Sequence, residues 1–245
     1  MQKIAKNQRR ALRRRVRGWR QAIGVKSPDW LKSSLGPAVY YAEMLMVDHG
    51  IFRLAYLNRH RIGASAWRSA QPAPHQIASF ARLGVRTIVN LRGERVCGGY
   101  WLEQAACQKL GLKLVNYQVR SRAAPSKEEL LGARALFAQL EYPILLHCKS
   151  GADRAGLMSA LYLICREGVP VAQAKEQLSA RYGHFRHSDT GILDHFFERY
   201  LEDNARQPMA FFDWVERIYD PEELRASFRA RRWSNFITNR ILRRE

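Results

Sequence analysis

The sequence predicts an α/β fold: a parallel-stranded central sheet flanked by helices, with an added helical C-terminal layer. Three observations predict it. From residue 66 onward, short apolar runs alternate with helical patterns, as in a parallel sheet built from crossover connections. The runs Val85–Leu91 and Pro143–His147 are apolar almost throughout, which suits strands covered on both faces. After Pro170 the chain reads as helical, broken near Gly183–Thr190 and at Pro208 and Pro221. A chain of 245 residues is long enough to bury a core of this kind without disulfides or a metal.

The elements follow in order. Trp67–Ser69 is short and extended, and Gln71-Pro72-Ala73-Pro74 is a turn that no helix crosses. His75–Leu83 reads as a helix closed by Gly84, and Val85–Leu91 as the first buried strand. Tyr100–Leu110 reads as a helix with Gly111 as its stop, and Leu112–Val119 as a strand. Ser126 and Glu129 have the spacing of a capping box and open a helix reaching to about Leu140. Pro143–His147 is a short buried strand, followed by a loop and an apolar helix from Ala155 to Arg166. No internal repeat is visible.

Composition narrows the function classes. The four cysteines (Cys97, Cys107, Cys148, Cys165) contain no CxxC pair, which disfavours a zinc ribbon, a thioredoxin-type site and a secreted disulfide framework. A reducing compartment fits better. The net charge of +19 is concentrated at the ends: residues 1–20 hold nine Lys and Arg and no acid, and residues 225–245 hold seven Arg against Glu245. The body between them is close to neutral, so the ends point to a polyanionic surface. The N-terminus lacks the apolar stretch of a secretory signal, and the most apolar span, Leu35–Leu57, is interrupted by Glu43, Asp48, His49 and Arg53. No transmembrane helix is expected. Leu12, Val16, Trp19 and Ile23 form an apolar stripe on an arginine-rich background, and Trp233, Phe236, Ile237 and Ile241 repeat the pattern. Such helices suit the headgroup region of an anionic membrane, the reading favoured over packing of the stripes on the protein's own body. Nucleic acid is the least favoured partner.

The chemistry is concentrated in one loop, His147-Cys148-Lys149-Ser150-Gly151-Ala152-Asp153-Arg154-Ala155-Gly156, between a buried strand and an apolar helix. At such a junction successive backbone N–H groups and the helix dipole converge on a bound anion. The same field favours a thiolate at Cys148, and Arg154 can offer a planar two-pronged donor to phosphate oxygens. Gly151 permits the tight turn that aims the amides inward. The predicted reaction is attack of sulfur on phosphorus through a cysteinyl-phosphate, with no metal and no cofactor.

These residues resemble the His-Cys-x5-Arg signature of the cysteine-dependent protein tyrosine phosphatase superfamily. The segments Trp67-Arg68-Ser69-Ala70-Gln71-Pro72 and Thr87-Ile88-Val89-Asn90-Leu91-Arg92 are similar to its compact bacterial dual-specificity branch. The resemblance spans roughly residues 60–200 and implies a tyrosine/dual-specificity phosphatase-like fold. It also implies Cys148 as nucleophile and Arg154 as the phosphate-binding, transition-state-stabilising residue. The chain then divides into a basic N-terminal extension (1–59), a phosphatase domain (60–205) and a basic helical C-terminal extension (206–245).

Two departures stand out. The family usually carries Ser or Thr after the loop arginine, where its hydroxyl supports the leaving thiolate; here Ala155 stands, so hydrolysis is slow or Ser150 substitutes. Most members supply a general acid from an upstream loop, yet residues 116–126 contain no acid. Asp153 is the candidate acid, resembling the in-loop Asp of phosphoinositide phosphatases; its alternative is a structural role, bonding loop amides or Arg154. His147 is expected to orient Cys148 by hydrogen-bonding nearby backbone. Lys149 adds charge at the rim, and Arg120 and Arg122 are candidate substrate-rim residues or plain surface arginines. The polar clusters Asp48-His49 and Tyr182-Gly183-His184 fit core or capping roles best, and Cys97 is a candidate disulfide partner for Cys148.

The expected function is a phosphomonoester phosphatase whose substrate is a phosphorylated lipid or another membrane-associated phosphate. A protein tyrosine or dual-specificity phosphatase is the alternative, and a catalytically weak phosphate-binding adaptor is a third reading. The expected partners are the phosphorylated substrate and an anionic membrane surface met by the basic ends. The expected location is cytoplasmic, peripheral on the inner face of the membrane. Oligomeric state is not legible.

Overall fold

The computed structural model describes residues 38–45, 54 and 56–242, with side chains to residue 231. The first apolar stripe (Leu12 to Ile23), the side chains of the second (Trp233 to Ile241) and the Asp48-His49 cluster lie outside these residues.

Five strands form one sheet: β1 (His60–Ile62), β2 (Ala66–Ala70), β3 (Thr87–Asn90), β4 (Lys113–Asn116) and β5 (Ile144–Cys148), in the order β1-β2-β5-β3-β4. The four strands from β2 to β4 run parallel, as predicted. The short strand β1 pairs antiparallel with β2 and makes the sheet mixed. Its sequence, His-Arg-Ile, is too short to show any periodicity.

β3 and β5 are buried along their whole length, while the edge strand β4 is half exposed. Alternation along the strands separates two apolar layers. Ile88 and Leu145 face a cluster with Ile77 and Phe80 of α1 (Pro74–Arg82) and Cys107 of α2 (Gly98–Leu110). Val89, Ile144 and Leu146 face the larger core. It contains α3 (Lys127–Gln139), α4 (Asp153–Glu167), the short α5 (Val171–Ala174), α6 (Ile192–Arg206) and α7 (Phe211–Arg217).

Local signals explain several boundaries. Ser126 Oγ accepts from Glu129 N at 3.2 Å, while Glu129 Oε2 accepts from Ser126 N at 2.8 Å, closing the predicted capping box of α3. Gly111 ends α2 in the left-handed conformation, φ +66°. α4 is buried continuously from Ala155 to Leu163, as a central helix should be. The C-terminal layer is helical as predicted. α6 buries Leu193, Phe196, Phe197 and Tyr200 on one stripe, and α7 buries Phe211, Trp214 and Val215. α8 (Pro221–Leu242) packs Leu224 and Phe228 against the same core. Among the described residues no helix is long and apolar enough to cross a membrane.

Candidate active site

β5 lies at the centre of the sheet, with His147 level with Ser69 of β2 and Asn90 of β3. Cys148 is its last residue, buried beside Ala70. The helix that follows β5 lies on the face opposite the helices that follow β2 and β3, and at such a switch α/β sheets form ligand crevices at the carboxyl edge. Five residues after Cys148, α4 begins at Asp153, two residues earlier than the apolar pattern suggests. The Gly156 amide already donates to Ala152 O at 2.8 Å, so Asp153 and Arg154 occupy the helix's first turn. No side chain caps this N-terminus, because the capping position is Ala152. Its uncapped amides and the dipole remain available to an anion.

Two buried side chains set the loop's conformation. Asn58 Nδ2 donates to Ser150 O at 3.0 Å and to Tyr182 O at 2.9 Å. Arg68, with no exposed surface, donates from Nη2 to Gly151 O (2.6 Å) and Ala152 O (2.9 Å). Its Nη1 donates to Gln177 O and Oε1 at 2.7 and 2.9 Å, and the guanidinium lies 4.1 Å over the Tyr182 ring. Three successive carbonyls, 150 to 152, are thus engaged by side chains. In trans peptides the following N–H groups, those of Gly151, Ala152 and Asp153, point the opposite way. This is the nest of amides that an anion requires. Gly151 sits at φ +75°, and a methyl group there would come within 2.7 Å of Ala70 N and Ser69 C. Burial lowers the Arg68 pKa to about 10, opposed by Cys148, Tyr182 and Asp153, so Arg68 remains cationic at neutral pH.

The loop's other residues divide by exposure. Lys149 is half-buried, Ser150 exposed, and Ala152, Ala155 and Gly156 are buried. Gly156 lets α4 approach Gln177: a methyl group there would lie 2.8 Å from Gln177 O. Arg154 is half-buried and makes no hydrogen bond or ion pair among the described residues, so its fork is uncommitted.

His147 departs from the expectation. Instead of bonding nearby backbone, its Nε2 lies 2.5 Å from Oε1 of Glu103 on α2, and neither side chain has exposed surface. Glu103 Oε2 accepts from Gln71 Nε2 at 2.9 Å, and Gln71 Oε1 accepts from Arg92. His147 Nε2 and Glu103 Oε1 make no hydrogen bond among the described residues despite their close approach, while Gln71 satisfies the other carboxyl oxygen.

Asp153 keeps one face toward solvent, while its Oδ1 lies 2.8 Å from His184 Nδ1. His184 Nε2 lies 2.6 Å from Asp194 Oδ2 on α6. Burial alone would depress the His184 pKa, but the two carboxylates outweigh it and raise it to about 9. Arg120 and Arg122 are both exposed on the loop after β4. Arg120 is committed to Glu129 Oε1 at 3.2 Å. Cys97 and Cys148 are free thiols.

Sequence reasoning missed the roles of Asn58, Arg68, Glu103 and Asp194. Only Arg68 and Glu103 left a signal, each a charged residue inside an element that otherwise reads as buried.

Comparison with known proteins follows this geometry. Residues 57–192 match the family model described as "DSP-PTPase phosphatase fused to NAD+ Kinase". The dual specificity protein phosphatase TpbA of Pseudomonas aeruginosa is 32% identical over 133 residues, covering 54% of this chain and 57% of that protein. The chain thus spans little more than half the length of the curated relatives it matches. The crystal structure of TpbA from P. aeruginosa aligns with TM-score 0.48 at 20% identity, covering 71% of this chain and 91% of that one. A putative phosphatase from Shewanella putrefaciens aligns with TM-score 0.47 at 18% identity, covering 65% and 99% respectively.

Proposed function

The chain belongs to the DSP-PTPase phosphatase family, and from this premise we propose that it is a metal-independent, cysteine-dependent phosphomonoester phosphatase. One observation carries the reading: Cys148 stands at the mouth of an amide nest whose carbonyls are held back by Asn58 and Arg68. The Gly151, Ala152 and Asp153 amides and the Arg154 fork bind the three non-bridging oxygens of a phosphate ester. The Cys148 thiolate attacks phosphorus, and the bond from phosphorus to the leaving oxygen breaks. Asp153 gives that oxygen a proton. Water then attacks the cysteinyl-phosphate, returns its proton to Asp153 and releases the thiolate. In this reading Lys149, Arg120 and Arg122 are assigned to the rim, where they would meet a second negative charge.

The substrate in this reading is a phosphorylated lipid or another membrane-associated phosphate. The support is the sequence: nine basic residues in the first 20 and seven arginines in the last 21, each set bearing tryptophan. A protein phosphatase is the second reading, supported by the relatives named dual specificity protein phosphatases. The test is phosphate release from a panel of phospholipid, sugar and phosphotyrosine esters by wild type and Cys148→Ser. Release from lipid phosphates in anionic vesicles, lost in Cys148→Ser, is the expected result. Release from phosphotyrosine peptides alone favours the second reading. No release from any ester, with inorganic phosphate still bound, overturns both.

A further inference from the structure

We infer that His184, held by Asp194, is a positioning and proton-relay residue that supplies the proton Asp153 delivers to the leaving group. The inference rests on the reading of Asp153 as general acid and extends it to two residues outside the signature loop.

The hydrogen bonds around His184 fix how many protons the array holds. Both ring nitrogens of His184 face carboxylate oxygens, Asp153 Oδ1 at 2.8 Å and Asp194 Oδ2 at 2.6 Å. Each of these hydrogen bonds requires a proton between nitrogen and oxygen. A neutral imidazole carries one N–H, and an ionised carboxylate accepts only. The array therefore holds one proton more than a neutral histidine between two carboxylates would. Burial of His184, 2% exposed, keeps water from substituting for either partner.

The groups around the array fit this state. Asp153 and Asp194 are the charges in contact with the ring, and both favour its cation. On the Asp153 side, Arg68 acts electrostatically on Asp153, Cys148 and Tyr182. Tyr182, two residues before His184, is engaged by the Arg68 guanidinium over its ring. Asp194 lies in the first turn of α6, where a carboxylate is favoured by the helix dipole. The resulting pKa of about 9 leaves His184 charged through the neutral range.

The relay balances. As the bond from phosphorus to the leaving oxygen breaks, that oxygen takes a proton from Asp153. Asp153 takes the Nδ1 proton of His184, leaving a neutral imidazole and a carboxylate. In the second step the water that attacks the cysteinyl-phosphate returns a proton through Asp153 to Nδ1, restoring the imidazolium. Asp194 stays ionised and fixes the ring so that Nδ1 faces Asp153. The upstream loop, which contains no acidic residue, has no part in it.

The test compares kcat/KM for octyl phosphate, whose alkoxide must be protonated, with para-nitrophenyl phosphate, whose phenolate leaves readily. Full-length His184→Gln, Asp194→Asn and Asp153→Asn are measured from pH 5 to about pH 10. His184→Gln is expected to lose at least about tenfold more on octyl phosphate than on the aryl ester. Asp194→Asn keeps the shape of the contact and is expected to move the alkaline limb for octyl phosphate to lower pH. Equal losses on both esters in His184→Gln, with an unmoved limb in Asp194→Asn, overturn the relay. If Asp153→Asn still shows the alkyl-selective loss in that case, the acid assignment survives without it. If Asp153→Asn shows no such selectivity, the acid assignment fails and the relay with it.

Discussion

Two of the loops that leave the carboxyl edge of the sheet are built by opposite means. The loop between β5 and α4 is held by side chains distant in sequence: Asn58, Arg68 and, through Asp153, His184. The loop between β4 and α3 is held largely by its own surroundings. Tyr117 Oη donates to Glu129 O at 2.7 Å, Arg120 pairs with Glu129, and Glu129 completes the cap on Ser126. The first loop contains Cys148, an arginine that makes no hydrogen bond or ion pair among the described residues, and Asp153. The second contains arginines and no acid. The difference shows where geometry has to be enforced. Amides that must converge on one anion need their carbonyls restrained from outside, whereas a rim tolerates local and partly exposed contacts.

The comparison breaks most visibly at Arg68. Arg68→Met removes the donors to Gly151 O, Ala152 O, Gln177 O and Gln177 Oε1, and leaves the buried Gly151 carbonyl without that partner. The expected loss is about 1–3 kcal/mol in urea denaturation, together with weaker binding of inorganic phosphate. A loss under about 1 kcal/mol would show that the loop keeps its shape without that brace.

The His184 array has a signature in the pH dependence of stability. Its folded pKa, about 9, exceeds the ordinary 6.5, so its contribution is complete below about pH 6.5. That contribution disappears as pH rises through about 9. The stability difference between wild type and His184→Gln should therefore be flat in acid and shrink across this range. A difference independent of pH would mean that folding does not raise the pKa of the ring.

Ala155 sharpens the comparison from the chemical side. Restoring a hydroxyl with Ala155→Ser should speed breakdown of the cysteinyl-phosphate. One hydrogen bond to the leaving sulfur is worth about 1.4 kcal/mol, roughly tenfold in rate. Rapid-quench measurement of the second step checks it, and an unchanged rate would leave Ser150 or solvent as the donor.

The smallest effects belong to the second loop. Arg120→Ala and Arg122→Ala should each change stability by less than about 1 kcal/mol, since both are exposed. As rim residues they should raise KM for a bisphosphorylated substrate by about threefold with kcat unchanged. Equal effects on a monophosphate would remove them from the rim.

What was legible in the sequence was local. The strand-loop-helix junction, the capping box at Ser126, the stop at Gly111 and the Cys148–Arg154 spacing each involve residues only a few positions apart. The bracing was not legible, because it joins positions far apart. Asn58 reaches Ser150 across 92 residues and Arg68 reaches Gly151 across 83. His184 was visible as a polar cluster, but a core or capping role is the default for a histidine whose partners are unknown. Asp194 gave no signal beyond an acid at a helix start. The start of α4 was misplaced because Asp153 and Arg154 are polar and interrupt the apolar pattern, although both fit a helix's first turn.

The central claim is that the β5–α4 loop carries phosphate on the sulfur of Cys148. Acid quench of wild type during turnover of para-nitrophenyl phosphate, followed by peptide mass spectrometry, tests it directly. The account predicts a phosphate adduct on the peptide containing Cys148, accumulating because Ala155 offers the leaving thiolate no hydroxyl, and absent in Cys148→Ser. Turnover that proceeds without an adduct, or with one on another residue, would contradict it.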